Sequence, residues 1–177
     1  MRHALATRML GFGAATAIVG ASALAVAQAP ALDAAAEDAF VTETTATHHA
    51  ELTGANEVPA NTTTGTGEAW ILIDPQNNSV RWYVTYDGLT GPVTGAHIHG
   101  PAGVDENAGV IIDLGTGDTV DRYNSPIQGE ITDLTAEQIA QGEAGMWYVN
   151  IHTEANPAGE IRGQIVVKDS AAAPAPM

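Results

Sequence analysis

Three histidines are the strongest candidates for chemistry in this 177-residue chain. His97 and His99 are separated by one residue, and His152 lies in a second alternating run. Side chains two positions apart on a β-strand share a face, so His97 and His99 should project together while Ile98 faces the core. If the two strands lie side by side, the three imidazoles converge. Neutral imidazole binds zinc, copper or iron, and three such ligands would leave one coordination position open.

Two charged residues beyond the second histidine strand could support such a site. Glu160 follows the turn at 157–159 and is a candidate fourth ligand or an acceptor that orients a histidine ring. Arg162 lies two residues further on, and we expect it to brace the region around His99 and His152. A surface ion pair between Glu160 and Arg162 is the alternative, and it would contribute little stability.

A structural role for the histidines stays open as the alternative to metal binding. Imidazole nitrogens can hydrogen-bond exposed backbone groups and hold a turn in place, and Gly100-Pro101 directly after His99 favours that role. The two interpretations differ in geometry, because a metal site requires the imidazole nitrogens to lie within about 4 Å of each other. His48 and His49 precede the expected domain and are predicted to be a solvated pair.

The elements that must position these residues are predicted to be short β-strands. Residues 80–87 alternate strictly between apolar and polar side chains, which indicates a half-buried strand, and the turn at 74–78 pairs it with 70–73 as a hairpin. Further strands are expected at 94–99, 109–114, 127–131, 146–152 and 160–167. Thr135 and Gln138 form a capping-box pattern that begins one short helix, which Gly142 should end. Six to eight short strands predict an all-β sandwich or barrel.

The two ends of the chain are predicted to lie outside the folded domain. Residues 1–27 have the basic start, apolar stretch and Ala-Val-Ala cleavage pattern of a signal peptide, which leads to the general secretion route. Residues 28–49 read as a flexible leader and 169–177 as a disordered tail, which leaves 50–168 as the folded unit. After cleavage we expect no stable membrane span, and the product is secreted, periplasmic or associated with the cell envelope.

The charge balance excludes several classes of partner. The chain has 21 acidic and 6 basic side chains, a formal net charge of −15, which becomes −17 when the two arginines of the signal peptide are removed. Nucleic acids and anionic membranes bind basic patches, so neither is expected as a partner. Cys is absent, which excludes disulfides and thiolate metal sites. The chain also lacks Gly-x-Ser-x-Gly and Walker-type motifs, and we expect no enzymatic activity.

Several separated motifs resemble those of one family, the CHRD (chordin-type) domain of secreted bacterial proteins. The motifs are ELTGANEVP (51–59), GAHIHGPA (95–102), LTAEQ (134–138), YVNIHT (148–153) and NPAGEIRGQ (156–164). They occur in the family's order and cover nearly all of the expected folded unit. The resemblance implies a secreted domain with an immunoglobulin-like β-sandwich or barrel fold and one short helix.

The resemblance also implies which residues keep the motifs in shape and what the domain does. Within the motifs, Glu57, Pro59, Asn150 and Arg162 are implied to be structural. The expected function is that of a non-catalytic module with a binding or structural role, whose partner is an unknown extracellular protein or surface polymer. The alternative is a metal-binding domain that holds copper or zinc through His97, His99 and His152; we expect no other cofactor.

Overall fold

The computed structural model describes residues 41–115 and 121–168. The signal peptide expected at 1–27, the tail at 169–177 and most of the leader at 28–49 lie outside the described residues. In the part of the chain that is described, no helix is long and apolar enough to cross a membrane.

The described residues form nine β-strands and one α-helix, which confirms the all-β class with one short helix. The strands are β1 (His48–Thr53), β2 (Thr66–Asp74), β3 (Ser79–Asp87), β4 (Val93–His99), β5 (Val110–Asp113), β6 (Ile127–Ile131), β7 (Tyr148–Thr153), β8 (Ile161–Gln164) and β9 (Val166–Val167), and the helix is α1 (Ala136–Glu143). A 3-10 turn, Gly54–Asn56, follows β1. The hairpin predicted around the turn at 74–78 is the β2–β3 pair.

The strands form one antiparallel, nearly closed, barrel-like sheet. Its order is β5-β4-β7-β8-β1-β2-β3-β6, and β9 pairs with β1. Inside the barrel, the Trp82 indole of β3 donates a hydrogen bond to the Leu114 carbonyl just after β5, with an N–O distance of 3.1 Å. This order places β4, β7 and β8, the strands with the histidine and arginine motifs, next to one another.

Alternation of side chains explains how these strands build the core. On β3, Val80, Trp82 and Val84 are buried, as their period of two predicts. The same rule buries Ile98 on β4 and Ile151 on β7, so the polar residues that alternate with them lie on the opposite face of the sheet. The sheet therefore separates an apolar interior from a polar outer face.

The helix begins as predicted but ends later. The Thr135 side chain accepts a hydrogen bond from the Gln138 backbone, and the Gln138 side chain accepts one from the Thr135 backbone, which completes the capping box. Gly142 was expected to end the helix, but it lies within α1. A Cβ at this position would lie 2.8 Å from the Trp147 ring, so glycine allows the helix to pack closely on that side chain.

Ordered structure begins before residue 50. Val41 is buried, and β1 starts at His48, which is itself only 5% exposed. His49 stacks on Trp70 with ring centroids 4.0 Å apart. The prediction of a solvated pair is therefore wrong, because strand pairing with β2 brings both rings against the domain.

Candidate functional site

The register between β4 and β7 brings the three histidines to one outer face of the sheet. The facing pairs are Gly95 with His152, His97 with Asn150 and His99 with Tyr148. Directly opposed residues in an antiparallel pair point to the same side, so the five side chains of these pairs share this face, and Gly95 adds none. We call His97, His99 and His152 the histidine cluster.

The three rings of the histidine cluster lie in contact. Ring centroids are 5.0 Å apart for His97 and His152, 5.5 Å for His97 and His99, and 5.8 Å for His99 and His152. One ring nitrogen from each residue lies within 4.8 Å of the others. This spread exceeds the separation of about 4 Å expected for a bound ion, so the rings would have to move closer to share one metal.

Backbone carbonyls orient two of the rings. His99 Nδ1 lies 3.0 Å from the Ala108 carbonyl oxygen, and His152 Nδ1 lies 3.1 Å from that of Pro157. A carbonyl only accepts, so each Nδ1 carries the proton and each Nε2 keeps a free lone pair. Among the described residues, these two Nε2 atoms and His97 Nδ1 are buried and have no hydrogen-bond partner.

Burial favours the uncharged form of the cluster. It is the main cause that lowers the pKa of His97 to about 4, and the neighbouring His152 and His99 rings lower that pKa further. Burial also lowers the pKa of His99 and of His152, while the hydrogen bonds to the Ala108 and Pro157 carbonyls act in the opposite direction. Neutral imidazole is the form that binds a metal ion.

Gly95 provides the space that the cluster occupies. A Cβ at this position would lie 2.8 Å from Cε1 of His97 and 3.6 Å from Cδ2 of His152. The first distance is shorter than a van der Waals contact, so any larger residue would displace the His97 ring. Glycine here permits the close approach of the two histidines.

Arg162 contacts the cluster through Tyr148. Its guanidinium lies 3.5 Å from the centroid of the Tyr148 ring, and this ring stacks on His99 at 5.0 Å with an interplanar angle of 4°. Cation–π contacts between an arginine and a tyrosine are favourable and are stronger when water is excluded. The Tyr148 ring thus separates the Arg162 guanidinium from the His99 ring.

Arg162 is also a loop anchor rather than a member of a surface ion pair. It is only 1% exposed. It donates to Asn107 Oδ1 at 3.0 Å and to the carbonyls of Gly103 and Glu106 at 3.1 and 2.8 Å. The alternative of an exposed ion pair with Glu160 is therefore wrong, because both side chains are buried and their hydrogen bonds go elsewhere.

Glu160 lies away from the histidine cluster, surrounded by threonines. Its carboxylate accepts from the hydroxyls of Thr63, Thr90 and Thr153 at 2.7, 2.8 and 2.6 Å, and from the Thr90 backbone N–H at 2.7 Å. Burial raises its pKa, but these four hydrogen bonds outweigh that effect and lower the pKa to about 2. The expectation of a ligand or ring-orienting acceptor is wrong, because carbonyls orient the rings and threonines engage this carboxylate.

The remaining motif residues form a buried polar network beside Arg162. Asn150 donates to Glu57 Oε1 at 2.6 Å, and Asn107 donates to the Val58 carbonyl at 2.8 Å. Burial is the main cause that raises the pKa of Glu57, while the Asn150 hydrogen bond and the Arg162 charge oppose it. Pro59 follows Val58 through a cis peptide bond. The network joins the segment around Glu57 to the loop that Arg162 anchors.

Sequence reasoning missed two kinds of contributor to this region. Asn107 belongs to an irregular loop without a periodic pattern, so no local signal marks it. Thr63 and Thr90 also lie outside the strands and reach Glu160 only through the tertiary fold. Tyr148, by contrast, is placed on the same face as His152 by the parity of its strand.

A groove lies above this network. It has a volume of about 430 Å³, and its lining includes Glu57, Val58, Val104, Arg162 and Val166. Val104 and Val166 are 62% and 51% exposed. The groove thus combines a polar floor of motif residues with a rim on which exposed valines lie among polar side chains.

Comparison with known proteins identifies the family of this all-β domain. The model of the CHRD domain matches residues 48–165, so the chain belongs to the CHRD domain family, as the motifs predicted. Chordin of Danio rerio is 31% identical over 131 residues, which cover 71% of this chain and 13% of that protein. Chordin of Xenopus laevis is 28% identical over 121 residues, or 63% of this chain and 12% of that protein. No solved structure matches significantly.

Proposed function

We propose that the chain is an extracellular, non-catalytic CHRD module that binds a protein or surface polymer through the groove above the motif network. The observation that carries this proposal is that the charged motif residues form their hydrogen bonds with the chain itself. These bonds hold the loops that shape the groove, so the residues have a structural role in forming its surface.

The hydrogen bonds of the charged residues support a non-catalytic role. Glu160 accepts four hydrogen bonds from within the chain, and Arg162 donates three. Glu57 is buried and accepts from Asn150. A general acid or base must reach a substrate proton, and an arginine that stabilises an anion needs free donors. Here these groups are directed to the chain itself.

The groove has properties of a preformed binding surface. Its floor is held by buried hydrogen bonds, so little ordering entropy would be lost when a partner binds. Its rim carries the exposed valines Val104 and Val166, which offer apolar area to a partner. Polar groups of the floor, such as the Glu57 side chain, would fix the orientation in which the partner binds.

The extracellular location rests on the family and on the first residues of the chain. The curated relatives are chordins, of which this chain spans about an eighth. The signal-peptide pattern at 1–27 fits export by the general secretion route, and a charge of −15 favours solubility outside the cell.

Substitution of Val104 tests the proposed surface. The immobilised chain is exposed to the extracellular fraction of its source, beside the variants Val104→Glu and Met146→Glu. Met146 is 41% exposed but lies outside the groove, so it is the matched control. The wild type and Met146→Glu should retain the same protein or polymer, and Val104→Glu should lose it. Equal retention by all three chains, or no selective retention by the wild type, would refute the groove as the binding surface.

A further inference from the structure

We propose that the histidine cluster binds one divalent transition-metal ion of the copper and zinc class, through Nδ1 of His97 and the Nε2 atoms of His99 and His152. This site lies on the β4–β7 face and goes beyond the proposed function, which concerns the groove. The inference rests on the geometry of the free nitrogens and on the groups that orient them.

Three buried ring nitrogens of the cluster have no hydrogen-bond partner among the described residues. The Nδ1 protons of His99 and His152 are directed to carbonyls, so both Nε2 atoms are acceptors and cannot hydrogen-bond to each other. These atoms and His97 Nδ1 are buried and lack a partner among the described residues. Leaving a buried polar atom unpaired is unfavourable. One cation would satisfy all three nitrogens at once.

The orientation of the rings is that of metal ligands. A histidine that binds a metal through one nitrogen commonly donates its other N–H to a carbonyl or carboxylate, which fixes the tautomer and the ring plane. His99 and His152 have this arrangement, with carbonyls from two different loops. A purely structural role would account for these two carbonyl contacts. It would not account for the approach of one ring nitrogen from each of the three histidines to within 4.8 Å of the others.

The cluster is close enough for small ring movements to complete the site. Three nitrogens bound at about 2.0–2.1 Å from one ion lie roughly 3.3–3.6 Å apart, so the present spread of 4.8 Å must close by little more than 1 Å. An open cleft of about 270 Å³, bordered by Gly95, Val110 and Pro157, adjoins the three rings and leaves room for a water or other fourth ligand. The net charge of −15 further favours the approach of a cation.

Asp113 is excluded from the ligand set by its own contacts. It pairs with His97 across β4 and β5, but its carboxylate forms an ion pair with Arg122 at 2.7 Å. It also accepts a hydrogen bond from Tyr123. The predicted site therefore has three nitrogen ligands, which suits copper and zinc better than calcium or magnesium.

Calorimetric titration of the full chain without a histidine tag tests the proposal. Every chain carries His3→Gln, because a histidine at the third position can chelate copper together with the terminal amine. Zinc and copper are titrated separately, and at least one should bind with one ion per chain. His97→Gln/His99→Gln should weaken that binding at least 100-fold. His49→Gln, which removes a histidine outside the cluster, should leave it unchanged.

Three further measurements separate the site from its alternatives. The melting temperature without metal shows whether each variant is folded, and the single substitution His152→Gln replaces the double one if the latter unfolds.

Gly95→Ala keeps all three ligands but displaces the His97 ring, so it should weaken metal binding about 10-fold or more. With copper, electron paramagnetic resonance should show nitrogen coordination in the wild type that His152→Gln reduces. Failure of both metals to bind, or equal binding by the folded cluster variants, would overturn the proposal.

Discussion

At the scale of single residues, this domain buries charged groups and satisfies each with its own chain. Glu160 is fully buried, with its carboxylate held by three threonines, and Arg162 is anchored by three acceptors and the Tyr148 ring. A buried charge that is fully hydrogen-bonded holds the groups around it in place. Removal of one partner from such a network leaves a buried charge without its full set of hydrogen bonds. These residues are therefore sensitive sites for stability.

Glu160→Gln should destabilise the domain by about 2 kcal/mol at pH 7, because an amide accepts weaker hydrogen bonds than a carboxylate and directs an NH₂ group at threonine hydroxyls. The folded-state pKa is about 2, against 4.5 for an ordinary glutamate. The stabilisation is thus fully present above pH 4.5 and is lost as the pH falls towards 2. Urea unfolding at several pH values would measure it, with the exposed Glu154→Gln as the control. A deficit that stayed constant from pH 7 to pH 2.5 would contradict this account.

Arg162→Lys should destabilise the domain despite keeping the charge. A lysine cannot form the planar stack on Tyr148 or reach all three acceptors in the guanidinium geometry, so a loss of about 2 kcal/mol is expected. Thermal unfolding measures the loss, and the partly exposed salt-bridge residue Arg81, changed to Lys, is the matched control. Equal melting temperatures for the two variants would show that the guanidinium geometry does not matter.

At the scale of elements, irregular loops are held onto regular strands. Asn107 lies in the loop after β4. It accepts a hydrogen bond from Arg162 on β8 and donates one to the Val58 carbonyl in the segment after β1, so it links this loop to that segment. The strands show period-two alternation in the sequence, but the loops show no period. Their conformation depends on a few long-range hydrogen bonds, which makes each of those bonds important.

Asn107→Ala should loosen the loop at 101–109 while leaving the sheet intact. It removes one acceptor from a buried guanidinium and one donor from a carbonyl, so a loss of about 1–3 kcal/mol is expected. Amide hydrogen exchange should accelerate in this loop and around Val58, but not in β2 and β3. The exposed Asn124→Ala variant should exchange like the wild type. Unchanged exchange at 101–109 would show that other contacts hold the loop.

At the scale of the whole molecule, an acidic surface surrounds an apolar barrel. The chain has 21 acidic and 6 basic side chains, so the excess negative charges repel one another in the folded state. The two ion pairs among the described residues, Arg81 with Glu130 and Arg122 with Asp113, are partly exposed and offset little of this repulsion. Salt should therefore stabilise the fold.

Raising NaCl from about 0.02 to 0.5 M at pH 7 should increase the melting temperature by several degrees, because the screening length falls to a few ångströms. Differential scanning calorimetry measures the shift. Near the isoelectric point of about 4.4 the same change in salt should have little effect. A melting temperature that fell with salt at pH 7 would show that attractive surface pairs dominate.

The sequence alone determined most of the strands, the shared face of the histidines and the family. These depend on local periodicity and on motifs, and the parity of His97, His99 and His152 already placed them on shared faces. Only the tertiary structure decided which groups meet across the sheet. It directed Glu160 to threonines that lie up to 97 positions away in the chain, and it extended the domain back to His48. Long-range contacts leave no local pattern, because strand pairing and loop packing bring their partners together only in the folded chain.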